Sequence, residues 1–191
     1  MLFRSDSPIL MASDKDLKLE TFTVSKKQHR IAFFGQSQRI TDTKAYASVL
    51  KRIVSAYEKI MGSLPYEQYV FFFDVNGGGG GLEHLNGTRM AIGGGEAKGI
   101  ATFAAHEFFH LWNVKRVRPK VLGPFDYIDP PKTRNLWWSE GVTDYYARVC
   151  VRRAGLVSEE GFLAGMASAV RRYGRSEEHT SELQSPCNLV C

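Results

Sequence analysis

Apolar residues first appear in short runs. Leu19-Glu-Thr-Phe-Thr-Val24 and Ile31-Ala-Phe-Phe34, the latter closed by Gly35, are β-rich and predict strands within 17–35. The spacing then lengthens. From Lys44 to Met61 the apolar residues Val49, Ile53, Val54, Tyr57, Ile60 and Met61 recur at three- and four-residue steps, which predicts a one-faced helix. Asp42 is placed to cap it, and Gly62 with Pro65 to end it. Gln68-Tyr-Val-Phe-Phe-Phe-Asp-Val75 is a nearly continuous apolar run of strand length, read as a buried strand and broken by Asn76 and the glycines 77–81. Arg89-Met-Ala-Ile92 is a second strand candidate running into more glycines. Residues 99–114, 138–153 and 158–173 read as helices, the last opened by Ser158 with Glu159 and Glu160 in its first turn. The order of strands, helix, strands and then helices only predicts an α+β fold, a small β-sheet followed by a helical half.

Within the helix at 99–114, His106-Glu107-Phe108-Phe109-His110 fits H-E-x-x-H. Residues four apart lie one turn above each other on a helix face, so both imidazoles can reach one ion with Glu107 beside them. A catalytic Zn2+ keeps three protein ligands and one open position for water, whose proton a neighbouring carboxylate can take. His106 and His110 are thus candidate metal ligands and Glu107 the candidate general base. The match also fits a chance pattern on a buried helix. For the third ligand, His29 and His84 do not sit on a downstream helix, whereas Glu140 opens the helix that follows. Asp144, one turn on, is placed to accept an imidazole N–H in the second shell. Both acids also suit a helix N-terminus by charge alone.

Length and composition change the picture little. The 191 residues, 43% hydrophobic and 24% charged, suit one globular domain or most of one. No apolar run approaches the roughly 20 residues that cross a bilayer, and the first residues lack the order of a signal peptide. A soluble protein is expected, of cytoplasm or bacterial periplasm, with no membrane partner; compartment and oligomeric state stay unknown. Arg175-Ser-Glu-Glu-His-Thr-Ser-Glu-Leu-Gln-Ser185 reads as the codon-by-codon translation of a sequencing-library adapter, so 175–191 is set aside as a read-through artefact. Without its one Arg and three Glu the net charge rises from +5 to +7, and of three cysteines only Cys150 remains, leaving no disulfide framework. Lys115-Arg-Val-Arg-Pro-Lys120 is a short basic run beside a helix end, expected to be solvated or to complement the helix dipole; no nucleic-acid partner is expected. The glycine run at 77–81 is no P-loop, since no Gly-Lys-Ser/Thr follows. Phe103, Phe108, Phe109, Trp112, Trp137 and Trp138 are expected in the core or a pocket wall.

His106-Glu-Phe-Phe-His-Leu-Trp-Asn113 followed by Trp138-Ser-Glu-Gly141 resembles the gluzincin metallopeptidases. Continued through Lys115-Arg-Val-Arg-Pro119, Leu122-Gly-Pro-Phe-Asp-Tyr127 and the Glu140 segment, it is similar to the glycyl-aminopeptidase family, whose members often carry a PDZ domain. Asp6-Ser-Pro-Ile-Leu10, Gly62-Ser-Leu-Pro-Tyr66 and Gly80-Gly-Leu-Glu-His84 extend the similarity over most of 6–174. The resemblance implies a gluzincin or thermolysin-like catalytic domain. Residues 1–35 would then end a preceding β-rich domain and 36–174 form an incomplete metallopeptidase domain, with further helices and the PDZ region missing. It also implies a peptide substrate. By analogy with a Gly-x-Met-Glu-Asn loop of related aminopeptidases, Glu83 would bind the substrate α-ammonium, Gly80 and Gly81 its backbone, and the strand through Ala91 would offer its edge to the main chain. A mobile glycine turn with an exposed Glu83 is the plainer reading, which leaves endopeptidase activity open. Tyr145 and Tyr146 are candidate oxyanion donors, unless that group lies beyond residue 174. The expectation is a zinc peptidase of aminopeptidase type; the alternatives are a catalytically silent zinc-binding scaffold that presents peptides, and a structural domain without metal.

Overall fold

The computed structural model describes residues 16–122 and 133–179; the family-like residues 6–10 and 123–127 and the adapter-like residues 180–191 lie outside this range. Strands β1 (Lys18–Val24) and β2 (Lys27–Phe34) form a hairpin whose two-residue turn, Ser25-Lys26, has both residues at positive φ. Such turns match the twist of the flanking strands and usually take Asn or Gly, so this one carries some strain. Helix α1 (Thr43–Met61) crosses to β3 (Gln68–Asp74), which runs parallel to β2. Asp42 caps the helix as expected, accepting from the Ala45 N–H at 2.8 Å, and Gly62 ends it at φ 83°.

The five strands form one sheet in the order β1-β2-β3-β5-β4, with β4 at Gly81–His84 and β5 at Gly87–Ala91. The two strands expected to close a preceding β-rich domain therefore hydrogen-bond directly into the sheet of segment 36–174. Strand β3 is less symmetrical than its apolar run suggests. Tyr69, Phe71 and Phe73 are fully buried, whereas Val70 and Phe72 on the other face are only partly covered. The buried set meets α1 through Tyr46, Leu50, Ile53, Val54 and Tyr57, together with Phe108 of the next helix.

Helix α2 (Ala101–Phe109) is shorter than the predicted 99–114. Residues 97–100 form a tighter turn before it, and from His110 on the chain leaves the helix through the bonds Leu111 N–H to Phe108 O and Val117 N–H to Trp112 O. Leu111, Trp112 and Val114 are still buried, so the apolar period continues past the helix because tertiary packing, not helical structure, covers those side chains. The predicted helix 138–153 begins with a π-helical turn, Trp137–Gly141, and continues as α3 (Val142–Arg153). Helix α4 runs Glu159–His179, with the Ser158 hydroxyl accepting from the Gly161 N–H at 3.1 Å. The architecture is α+β, as read. Among the described residues no helix is long and apolar enough to cross a membrane.

Candidate metal centre and substrate cleft

Three elements meet above the C-terminal end of α2. His106 and His110 are one turn apart on its face, and their Nε2 atoms lie 3.2 Å from each other. The π-helical turn brings in Glu140, whose Oε2 is 3.2 Å from His106 Nε2 and 3.8 Å from His110 Nε2. Such extra-residue turns recur at functional sites because they re-aim one side chain without ending the helix. Two imidazole nitrogens at this distance either share one proton in an N–H···N bond or both turn their lone pairs to a common cation. The separations fit a zinc site. A tetrahedron with bonds of about 2.0 Å has edges of about 3.3 Å, and the donor set of two imidazoles and one carboxylate is one that zinc takes.

A cleft of about 270 Å3 opens here, lined by Gly80, Gly81, Glu83, Thr102, Phe103, His106, Glu107, His110, Glu140 and Asp144. All eight residues singled out from the sequence therefore converge on one cavity.

Glu107 is 5% exposed, and its Oε2 has no hydrogen-bond partner among the described residues. Burial pushes its carboxyl up to about 8; the charges of Glu83 and Glu140 add to this, while His106 and a Thr88 hydrogen bond oppose it. A cleft-lining carboxyl poised near neutrality, with one oxygen unpartnered, suits proton transfer. His110 Nδ1 donates to the Asn113 carbonyl at 2.8 Å, which leaves Nε2 with its lone pair toward Glu140. Burial lowers the pKa of His110. Burial acts on His106 in the same direction, but the Glu140 hydrogen bond and the nearby carboxylates carry its pKa above the usual value. Glu140 is held below the usual carboxylate range against its own burial, by the His106 hydrogen bond and the two imidazoles.

Asp144 lies in the cleft wall, but its carboxylate takes the Arg148 guanidinium at 3.1 Å, and no hydrogen bond joins it to either imidazole. The outer-shell acceptor seen in the structure is the Asn113 carbonyl. Asn113 does more. Its Nδ2 donates to the Trp138 carbonyl at 2.9 Å, the Ser139 carbonyl at 3.3 Å and the Thr143 hydroxyl at 3.1 Å, so one buried amide ties the end of α2 to the turn that carries Glu140. Sequence reasoning gave Asn113 no role; its place three residues after the second histidine was the available signal.

The glycine-rich segment is not a loose turn. Gly81 opens β4, and Glu83 lies within that strand. A Cβ on Gly81 would overlap all three carboxyl atoms of Glu107, so the glycine is required by the acid beneath it. Strand β5 cannot offer its edge as expected, because β3 and β4 occupy both sides of it; β4 stands at the margin of the sheet.

Three further expectations are corrected. The basic run is not solvated throughout. Lys115 is 6% exposed with its Nζ 3.6 Å from Glu83 Oε1, and Arg116 donates to the Pro65, Leu85 and Leu111 carbonyls. Trp137 is 67% exposed, neither core nor cleft wall. Tyr146 stacks on Phe109 and Tyr145 is half exposed; neither lines the cleft.

No curated protein sequence matches the chain. Among solved structures it is similar to an aminopeptidase N family protein from Idiomarina loihiensis, 26% identical with a TM-score of 0.68, over 78% of this chain and 27% of that one. It is also similar to an M1 zinc metallopeptidase from Deinococcus radiodurans, 19% identical with a TM-score of 0.53, over 89% of this chain and 34% of that one. A two-domain M1 zinc metallopeptidase mutant bound to L-arginine is 17% identical with a TM-score of 0.52, over 84% of this chain and 32% of that one. The chain spans about a third or less of each of these structures. Over residues 100–187 the chain matches the profile of the M61 glycyl aminopeptidase family.

Proposed function

We propose that this chain carries the catalytic centre of a zinc aminopeptidase, with His106, His110 and Glu140 as ligands of one ion, Glu107 as general base and Glu83 as the anchor of the substrate α-ammonium. The observation that carries this reading is the convergence of three ligand atoms at 3.2–3.8 Å with Glu107, whose Oε2 has no partner among the described residues, beside them. When bound, zinc supplies an acidified water and polarises the scissile carbonyl. Glu107 takes the proton of the attacking water and returns it to the departing amine.

The exopeptidase reading rests on a short distance. The carboxylate oxygens of Glu83 and Glu107 and a His110 ring nitrogen all lie within 4.8 Å of one another. In a peptide the α-nitrogen is two bonds from the first carbonyl carbon, so an amine held at Glu83 leaves that first carbonyl beside Glu107. The free margin of β4 is available to pair with the substrate main chain. Asp144 adds a small favourable charge at His106, after those of Glu107 and Glu140, while it holds Arg148.

Glu107→Gln tests the assignment. The variant should bind zinc as the native chain does and lose hydrolysis of aminoacyl amides by at least a hundredfold, as expected for loss of a general base. Unchanged turnover would refute the role. If the native zinc-loaded protein hydrolyses no aminoacyl amide, the peptide-presenting scaffold is the better account.

A further inference from the structure

The least expected group near the cleft is a lysine. Lys115 follows the end of α2, where its N–H bonds the His110 carbonyl at 3.0 Å, and this turn sends its side chain inward rather than to solvent. Only 2% of that side chain is exposed, against 16% for Glu83, and the two charged ends lie 3.6 Å apart. Burying an ammonium or a carboxylate is costly unless each meets an opposite charge. So little exposed surface keeps substrate from the Lys115 head, and Glu83 is the cleft-lining charge that it meets.

We propose that Lys115 is a positioning residue for amine recognition, its buried ammonium holding the Glu83 carboxylate in the orientation that receives the substrate α-ammonium. This rests on the reading of Glu83 as the amine anchor. A carboxylate has two oxygens and about four acceptor sites. Lys115 approaches one oxygen, Oε1, at a separation longer than the 2.7–2.9 Å of a tight charge-assisted bond, so acceptor capacity remains for a second cation. Strand β4 fixes the backbone of Glu83, and Lys115 fixes its head. Without that charge the carboxylate is free to turn toward Glu107 and His110, whose polar atoms lie within 4.8 Å of its own.

The test compares two hydroxamates on the zinc-loaded protein by calorimetry. Glycine hydroxamate and acetohydroxamate share the chelating group and differ by one amino group, so the ratio of their affinities reads amine anchoring without turnover. Lys115→Met should lower this ratio about tenfold or more with acetohydroxamate affinity unchanged, and Lys115→Arg should fall between Lys115→Met and the native chain. The double variant Glu83→Gln with Lys115→Met should match Glu83→Gln alone, since the lysine acts through that carboxylate. A ratio that is unchanged or increased in Lys115→Met overturns the proposal, as does an equal loss of both affinities, which is what a merely structural role would produce. Should Lys115→Met fail to fold, Lys115→Arg decides: a native ratio there overturns the proposal. If Glu83→Gln leaves the ratio intact, the anchor reading fails by itself. If Lys115→Met lowers the ratio equally in that background, the lysine acts by another route and the proposal falls.

Discussion

Gly81→Ala is the smallest change that separates the acid from its place. The added methyl would overlap Cδ and both carboxyl oxygens of Glu107, and the backbone of β4 is held to β5, so the carboxyl must move. Overpacking of this kind costs about 1–3 kcal/mol. A displacement near 1 Å of a reacting group costs about 100-fold in rate, equivalent to about 2.7 kcal/mol at the transition state. The three atoms nearest the new methyl all belong to Glu107 and none to His106, His110 or Glu140, so zinc content should stay at the native level. Gly79→Ala is the matched control, because nothing lies within 4 Å of a Cβ there and its φ lies outside the left-handed region. The assay is kcat/KM on an aminoacyl amide at equal zinc occupancy, with Tm measured alongside. The expected result is a loss of about 100-fold in Gly81→Ala, mostly in kcat, and less than twofold in Gly79→Ala. Equal activities in the two variants would refute the packing argument.

Asn113→Ala removes the amide that binds the Trp138 and Ser139 carbonyls and the Thr143 hydroxyl. It should cost about 1–3 kcal/mol in urea unfolding and weaken zinc binding by tenfold or more, because the turn bearing Glu140 loosens; native zinc affinity would contradict that role. His29 is buried, stacked on Phe22 at 4.5 Å and bonded to the Tyr66 hydroxyl at 2.7 Å, and burial lowers its pKa from 6.5 to about 4. The ring is neutral in the fold and takes up its proton more readily in the unfolded chain. Its contribution, at most about 3 kcal/mol, is therefore full above pH 6.5 and lost as pH falls toward 4. His29→Phe should flatten the pH dependence of stability across that window, and a slope equal to that of the native protein would count against the assignment.

The candidate metal site was legible because its geometry is local. Two histidines four apart need only one helical turn, and α2 supplies it even though the helix ends at Phe109. Glu140 was legible by type and by its place at the next helix start, but the π-helical turn that aims it has no pattern in the residues themselves. Strand β4 was not read as a strand because Gly81 continues a glycine run that suppresses strand propensity; what makes it a strand is β5 beside it. Lys115 was misread for a similar reason. A lysine is buried only where an opposite charge awaits it, and that charge, Glu83, comes from another element 32 positions earlier. For Gly81 the resemblance suggested contact with substrate; the structure adds a second demand, the Glu107 carboxyl packed against its Cα.

Strand β4 has four residues, is paired on one side only, and follows glycines at positive φ at positions 77, 78 and 80. Glu107 therefore leans on one of the shortest ladders in the fold, while β2, β3 and α1 hold the core. Local opening of this margin would remove the wall behind Glu107 without melting the rest. Thermal inactivation should accordingly begin several degrees below the cooperative transition and reverse on cooling, and amide exchange at 81–84 should be among the fastest of any strand.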